Sequence, residues 1–111
     1  MGTRQAGIEA GNCWLELDQP LTGPWADQLE QEFRALPDRG IRRVVLNLEG
    51  VPLIDGRGLS ALVTGLKIFG DEPQNLCLVA PQAQPRLVFE LTGFDKIFCI
   101  APTPGQTRSG N

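Results

Sequence analysis

The chain has no histidine among its 111 residues, which removes the commonest general base and the commonest transition-metal ligand. Its three cysteines, Cys13, Cys77 and Cys99, are odd in number, scattered, and set among apolar neighbours. They form no Cys-x-x-Cys motif, so neither a metal site nor a disulfide framework is expected. Buried free thiols in a reducing, cytoplasmic compartment are the expectation instead. Positive charge is scarce as well. A net charge of -3 and a pI near 4.8 exclude the basic field that a nucleic-acid partner requires. The cluster Arg39, Arg42 and Arg43 reads as a solvated approach to a strand. No apolar run is long enough to span a bilayer, and no basic-then-apolar leader opens the chain, so neither membrane insertion nor secretion is expected.

What is present is ordinary globular composition, 41% apolar and 21% charged, enough for one domain with its own core. That domain is expected over residues 1–100. The remainder, 101–111, carries two prolines and two glycines among mostly polar residues and is expected to be a mobile tail. Cys13 to Leu17 alternates like a strand, and a weakly patterned strand precedes it near Ala6 to Ala10. Pro24 suits a helix start, and Trp25, Leu29, Phe33 and Leu36 follow at helical spacing until Pro37-Asp38-Arg39-Gly40. Arg43 to Leu48 is β-branched and apolar nearly throughout, as in a strand covered on both faces. A second helix is expected through Leu59, Leu62, Val63, Leu66 and Phe69, closed by Gly70, and then a buried strand from Leu76 to Ala80. Pro85 opens a third helix with Leu87, Val88 and Leu91 inward. Gly93 suits the left-handed residue after it, which would let Phe94 fold back on Phe89, and Ile97 to Ile100 reads as a last strand. The alternation of strands and helices predicts an α/β fold, a small sheet with parallel members and helices packed on it.

The most informative stretch runs from Val44 to Leu59 and joins a buried strand to a glycine-flanked helix start. Asp55 is expected to cap that helix, contributing ~0.5–2 kcal/mol, and its position at the rim is compatible with partner contact. Gly56 and Gly58 read as relief of backbone strain, since a phosphate-binding loop needs a longer glycine run and a lysine, and the nearest lysine is Lys67. Arg57 faces the positive end of the helix dipole, an unfavourable placement unless its stem reaches into water or it meets a partner's carboxylate or an anion. Ser60, Thr64 and Lys67 share one helical face, expected to be solvated. No acid or base neighbours Asp55 in sequence, so an enzyme is not expected, and no cofactor is implied.

The same stretch resembles the central signature of the STAS domain, the fold of bacterial anti-sigma factor antagonists. The similarity continues through Leu76-Cys77-Leu78-Val79-Ala80-Pro81 and from Leu87 to Phe98, covering about residues 12 to 100. The resemblance implies partner switching: an antagonist binds an anti-sigma factor that is also a serine kinase, and phosphorylation of a serine at the helix start breaks the complex. Where the family carries Asp-Ser-Ser-Gly, this chain has Asp55-Gly56-Arg57-Gly58, so the acceptor position falls on Arg57, which cannot be phosphorylated as a serine. Asn47 stands where many members have an aspartate. A phosphate at position 57 would bring about -1.5 to -2 charges, so its loss removes the switch. Ser60 or Thr64 is the alternative phosphosite.

Two functional classes follow. The leading one is a non-enzymatic regulatory module binding an anti-sigma factor or kinase-like protein through Asp55, Gly56, Arg57, Gly58, Ser60 and Thr64. The other is a structural STAS subunit of a membrane lipid-transport ATPase complex.

Overall fold

The computed structural model describes residues 3–102. The segment expected to be a mobile tail falls largely on residues 103–111, outside the described part. Five strands form one sheet in the order β1-β2-β3-β4-β5: β1 (Thr3–Glu9), β2 (Asn12–Leu17), β3 (Arg43–Asn47), β4 (Leu76–Val79) and β5 (Cys99–Ala101). The weak first strand exists and is longer than its pattern suggested. It pairs antiparallel with β2 through a two-residue turn at Ala10 and Gly11, whose φ values of 53° and 82° suit a tight hairpin. β2 to β5 all run parallel, so each connection between them must cross over, and helices do so. These are α1 (Gly23–Ala35), α2 (Gly56–Phe69), and α3 (Ala83–Thr92) with the single turn α4 (Phe94–Ile97).

Parallel strands laid down in sequential order, with crossovers of one hand, place their helices on one face of the sheet. The core follows that rule. Cys13, Leu15, Leu17, Val44, Leu46, Leu48, Leu76 and Leu78 point to a single cluster with Leu29, Phe33, Leu62, Phe69 and Phe89. The expectation that Arg43 to Leu48 is covered on both faces is therefore corrected: Val44 and Leu46 are buried, but Val45 and Asn47 are only half-buried. The second face carries a smaller cluster of Cys77, Val79 and Ala101 flanked by Val45 and Cys99.

Cys77 and Cys99 are disulfide-bonded, which corrects the expectation of three free thiols; Cys13 alone is free, and buried. They are partners in the β4–β5 register, with Cα atoms 4.5 Å apart. They lie 22 positions apart in sequence, and only the strand pairing makes them neighbours.

The helices differ from expectation in which residues they bury. In α1, Ala26, Leu29 and Phe33 are buried and Trp25 only partly. In α2 the buried residues are Gly58, Ala61, Leu62, Gly65 and Phe69, whereas Leu59, Val63 and Leu66 are half-buried. Small residues line the inner face because α1 and α2 approach closely: a Cβ on Gly65 would lie 2.6 Å from Cε2 of Phe33. α3 begins two residues before Pro85 and buries Pro85 and Phe89, leaving Leu87 (53%) and Leu91 (77%) exposed rather than inward. Gly93 is left-handed, as expected, and Phe94 stacks on Phe89 at 6.3 Å and on Phe98 at 5.2 Å. The α4 turn this creates delays β5 to Cys99.

Candidate partner-binding surface at the start of α2

After β3 the chain turns at once. The Asn47 side chain accepts a 2.9 Å hydrogen bond from the Glu49 amide, and the Val51 amide donates to Leu48 O at 3.0 Å. The connection to α2 then passes between two fixed points. On one side the Leu21 amide donates to Leu53 O at 2.9 Å, and the Asp55 amide donates to Leu21 O at 3.4 Å. On the other the Gln84 side chain grips both polar groups of Ile54, accepting from its amide at 2.9 Å and donating to its carbonyl at 3.2 Å. The Gln82 side chain donates to Glu49 O. Two glutamines of the β4–α3 segment thus hold the backbone that aims α2.

Asp55 caps α2 as expected: its Oδ1 accepts from the Gly58 amide at 2.9 Å and its carbonyl from the Leu59 amide at 2.9 Å. Asp55→Ala should therefore lower stability by ~1 kcal/mol in urea denaturation, the usual effect of losing such a cap.

The glycines need a different explanation from strain relief. Neither has a positive φ. Gly58 is buried, and a Cβ there would lie 2.1 Å from Leu21 O and 2.7 Å from Cγ1 of Ile54. It is the point where α2 rests on the α1 approach, and it is not available as contact surface. Gly56 is exposed with nothing within 4 Å of its would-be Cβ.

Arg57 neither reaches freely into water nor lacks a counter-charge. Its Nη2 is ion-paired with Oδ2 of Asp27 on α1, the two side chains 60% and 50% exposed. The Asp27 carboxylate supplies negative charge beside a helix start where a lone cation would be unfavourable. Two turns further on, Thr64 is drawn to the α1–α2 seam instead of facing solvent: its hydroxyl donates to Glu30 at 3.1 Å. Glu30 also receives Arg34 at 2.9 Å. Ser60 and Lys67 are exposed. The set at the surface is thus Asp55, Gly56, Arg57 and Ser60. Asp27, Glu30 and Gln84 join the site without having been foreseen, since each reaches it across 30 or more residues.

The bonds from Arg34 and Thr64 hold the Glu30 carboxyl below its ordinary value. A folded value depressed below the unfolded one gives stability that is present above the unfolded pKa and lost as pH falls through the folded one. Thr64→Val should move the Glu30 titration, followed by NMR, upward toward the ordinary range while leaving the Arg34 contribution in place.

The STAS domain family model matches residues 4–107. The chain belongs to the STAS domain family. A Bordetella bronchiseptica relative carrying the name anti-sigma factor antagonist BtrV is 38% identical over 76 residues, covering 68% of this chain and 66% of that protein. Among solved structures, an anti-sigma factor antagonist of Thermotoga maritima superposes with a TM-score of 0.80 at 25% identity, covering 88% of this chain and 85% of that one. One from Mycobacterium paratuberculosis gives 0.79 at 25% identity, covering 92% and 86%. Unphosphorylated SpoIIAA shares the STAS fold, with a TM-score of 0.76 at 14% identity over 89% of this chain and 87% of its own. No helix among the described residues is long and apolar enough to cross a membrane.

Proposed function

We propose that this STAS domain is a single-domain, non-enzymatic regulator that binds an anti-sigma factor in the cytoplasm through the start of α2, without a serine switch there. The observation that carries the reading is the exposed Arg57–Asp27 pair on the first turn of an Asp55-capped helix. In the pair described, one guanidinium nitrogen meets Asp27. A guanidinium has five N–H donors in a planar fork, which leaves others to receive a partner's carboxylate or carbonyl. The relatives' regulatory names support the same reading and do not favour a transporter subunit.

A kinase-like anti-sigma factor would normally release an antagonist by phosphorylating it. With arginine at position 57 the complex should persist in ATP. The test is capture of the source organism's anti-sigma factors on immobilised chain, followed by an ATP wash. Retention through the wash, with no phosphate at Ser60 or Thr64 by mass spectrometry, is the expected result. ATP-driven release with phosphate on either residue would show that the switch has been moved, and failure to retain any anti-sigma factor would refute the binding role.

A further inference from the structure

We propose that Cys77 and Cys99 form a reversible thiol–disulfide site at the edge of the sheet, reached through the half-buried Cys99 and reacting with low-molecular-weight thiols and disulfides. The register of parallel strands places the two residues side by side, with Cα atoms 4.5 Å apart. That spacing lies within the range a disulfide spans without backbone movement. The pair lies on the face that carries no helix among the described residues, in a row with Val45 across the ladder. Among the described residues β5 is the edge strand; Cys99 on it is only half-buried, whereas Cys77 is 3% exposed.

The bond is not what keeps β5 in place. Three residue pairs join β4 to β5, the Ala80 amide donates to Ala101 O at 2.8 Å, and Phe98 is buried against Phe94. With the disulfide reduced, these contacts still hold the sulfurs within reach of each other, so opening and closing require no rearrangement of the sheet. Among the described residues no group of three or more metal-ligating side chains exists, so the pair has no further ligands for a metal.

Cys13 provides an internal contrast. It is fully buried on the helix-covered face, and burial, reinforced by the Glu32 charge, pushes its thiol up to about 11. A thiol held protonated is a poor nucleophile, so Cys13 should stay out of the exchange.

The Cys99 thiolate attacks one sulfur of glutathione disulfide, forming a mixed disulfide and releasing one glutathione thiolate. The Cys77 thiolate then attacks Sγ of Cys99, forming the protein disulfide and releasing the second glutathione. The protein loses two protons and two electrons, and one glutathione disulfide becomes two glutathione molecules.

The test places the whole chain in glutathione buffers of increasing disulfide fraction, followed by acid quench, unfolding, alkylation and intact-mass measurement. The expected result is a single step from three alkylated cysteines to one, mapped to a Cys77–Cys99 link and reversed by reduced glutathione. Alkylation at all three positions in every buffer would overturn the site. A link that survives excess reduced glutathione would overturn its reversibility and leave a permanent staple. In Cys77→Ala, the reaction should stop at a glutathione adduct on Cys99. An unmodified Cys99 there would overturn its role as the attacking residue. The chemistry is read without any binding partner, so its outcome is independent of the anti-sigma factor reading.

Discussion

Gly58→Val is expected to lower stability by about 3 kcal/mol or more, enough to unfold a marginal domain of this size. The reason is a backbone collision. A Cβ at this position would stand 2.1 Å from Leu21 O, 2.7 Å from Cγ1 of Ile54 and 3.1 Å from Cγ of Leu21. The Leu21 carbonyl cannot simply step aside, because it receives the Asp55 amide while the Leu21 amide holds Leu53 O. Relieving the clash would separate the α1 approach from the α2 connection and carry the Asp55 cap with it. Gly56→Ala, two residues away, is the matched control. That site is exposed, has no atom within 4 Å of the new Cβ, and has no positive φ. It should gain ~0.4–1 kcal/mol by restricting the unfolded chain. Urea denaturation of both variants, read by circular dichroism, checks the pair. Equal stability of Gly58→Val and the parent chain would mean that α2 does not rest on Leu21 as described.

Arg57→Glu should do the reverse: leave the fold nearly unchanged and weaken the anti-sigma factor complex. The Arg57–Asp27 pair is at least half exposed at both ends, and such pairs contribute only ~0–1 kcal/mol. Repulsion between the introduced carboxylate and Asp27 is partly offset because negative charge suits a helix N-terminus. At the proposed interface, by contrast, reversal replaces a donor fork by an acceptor in the middle of the contact. Affinity should fall about 10–100-fold, ~1.4–2.8 kcal/mol, mainly through faster dissociation. Titration calorimetry against the purified anti-sigma factor, with a thermal melt of each chain, separates the two effects. An unaltered affinity would move the interface away from the start of α2.

How much of the site could be read in advance varied residue by residue. The Asp55 cap was legible because a cap is local, an acidic side chain bonding an amide three residues on. The left-handed Gly93 and the return of Phe94 onto Phe89 were legible for the same reason. Gly58 was recognised as special, but for the wrong cause. Backbone freedom is a property of one residue, whereas its actual constraint is a carbonyl 37 positions earlier in the chain, at Leu21. Leu87 and Leu91 were misplaced because helical spacing identifies an apolar stripe without saying whether anything covers it.

By itself, then, the sequence determined the order of strands and helices, the cap and turn residues, and the STAS resemblance carried by residues 44 to 98. All of these depend on residues close together in the chain, where spacing and side-chain chemistry act directly. The tertiary structure alone decided that Arg57 meets Asp27, that Gln84 holds Ile54, that Thr64 turns to Glu30 and that Cys77 meets Cys99. It also decided that, among the described residues, one face of the sheet receives the helices while the other does not. These contacts join residues 22 to 34 positions apart, and they exist only once parallel pairing and one-sided crossovers have set which segments become neighbours.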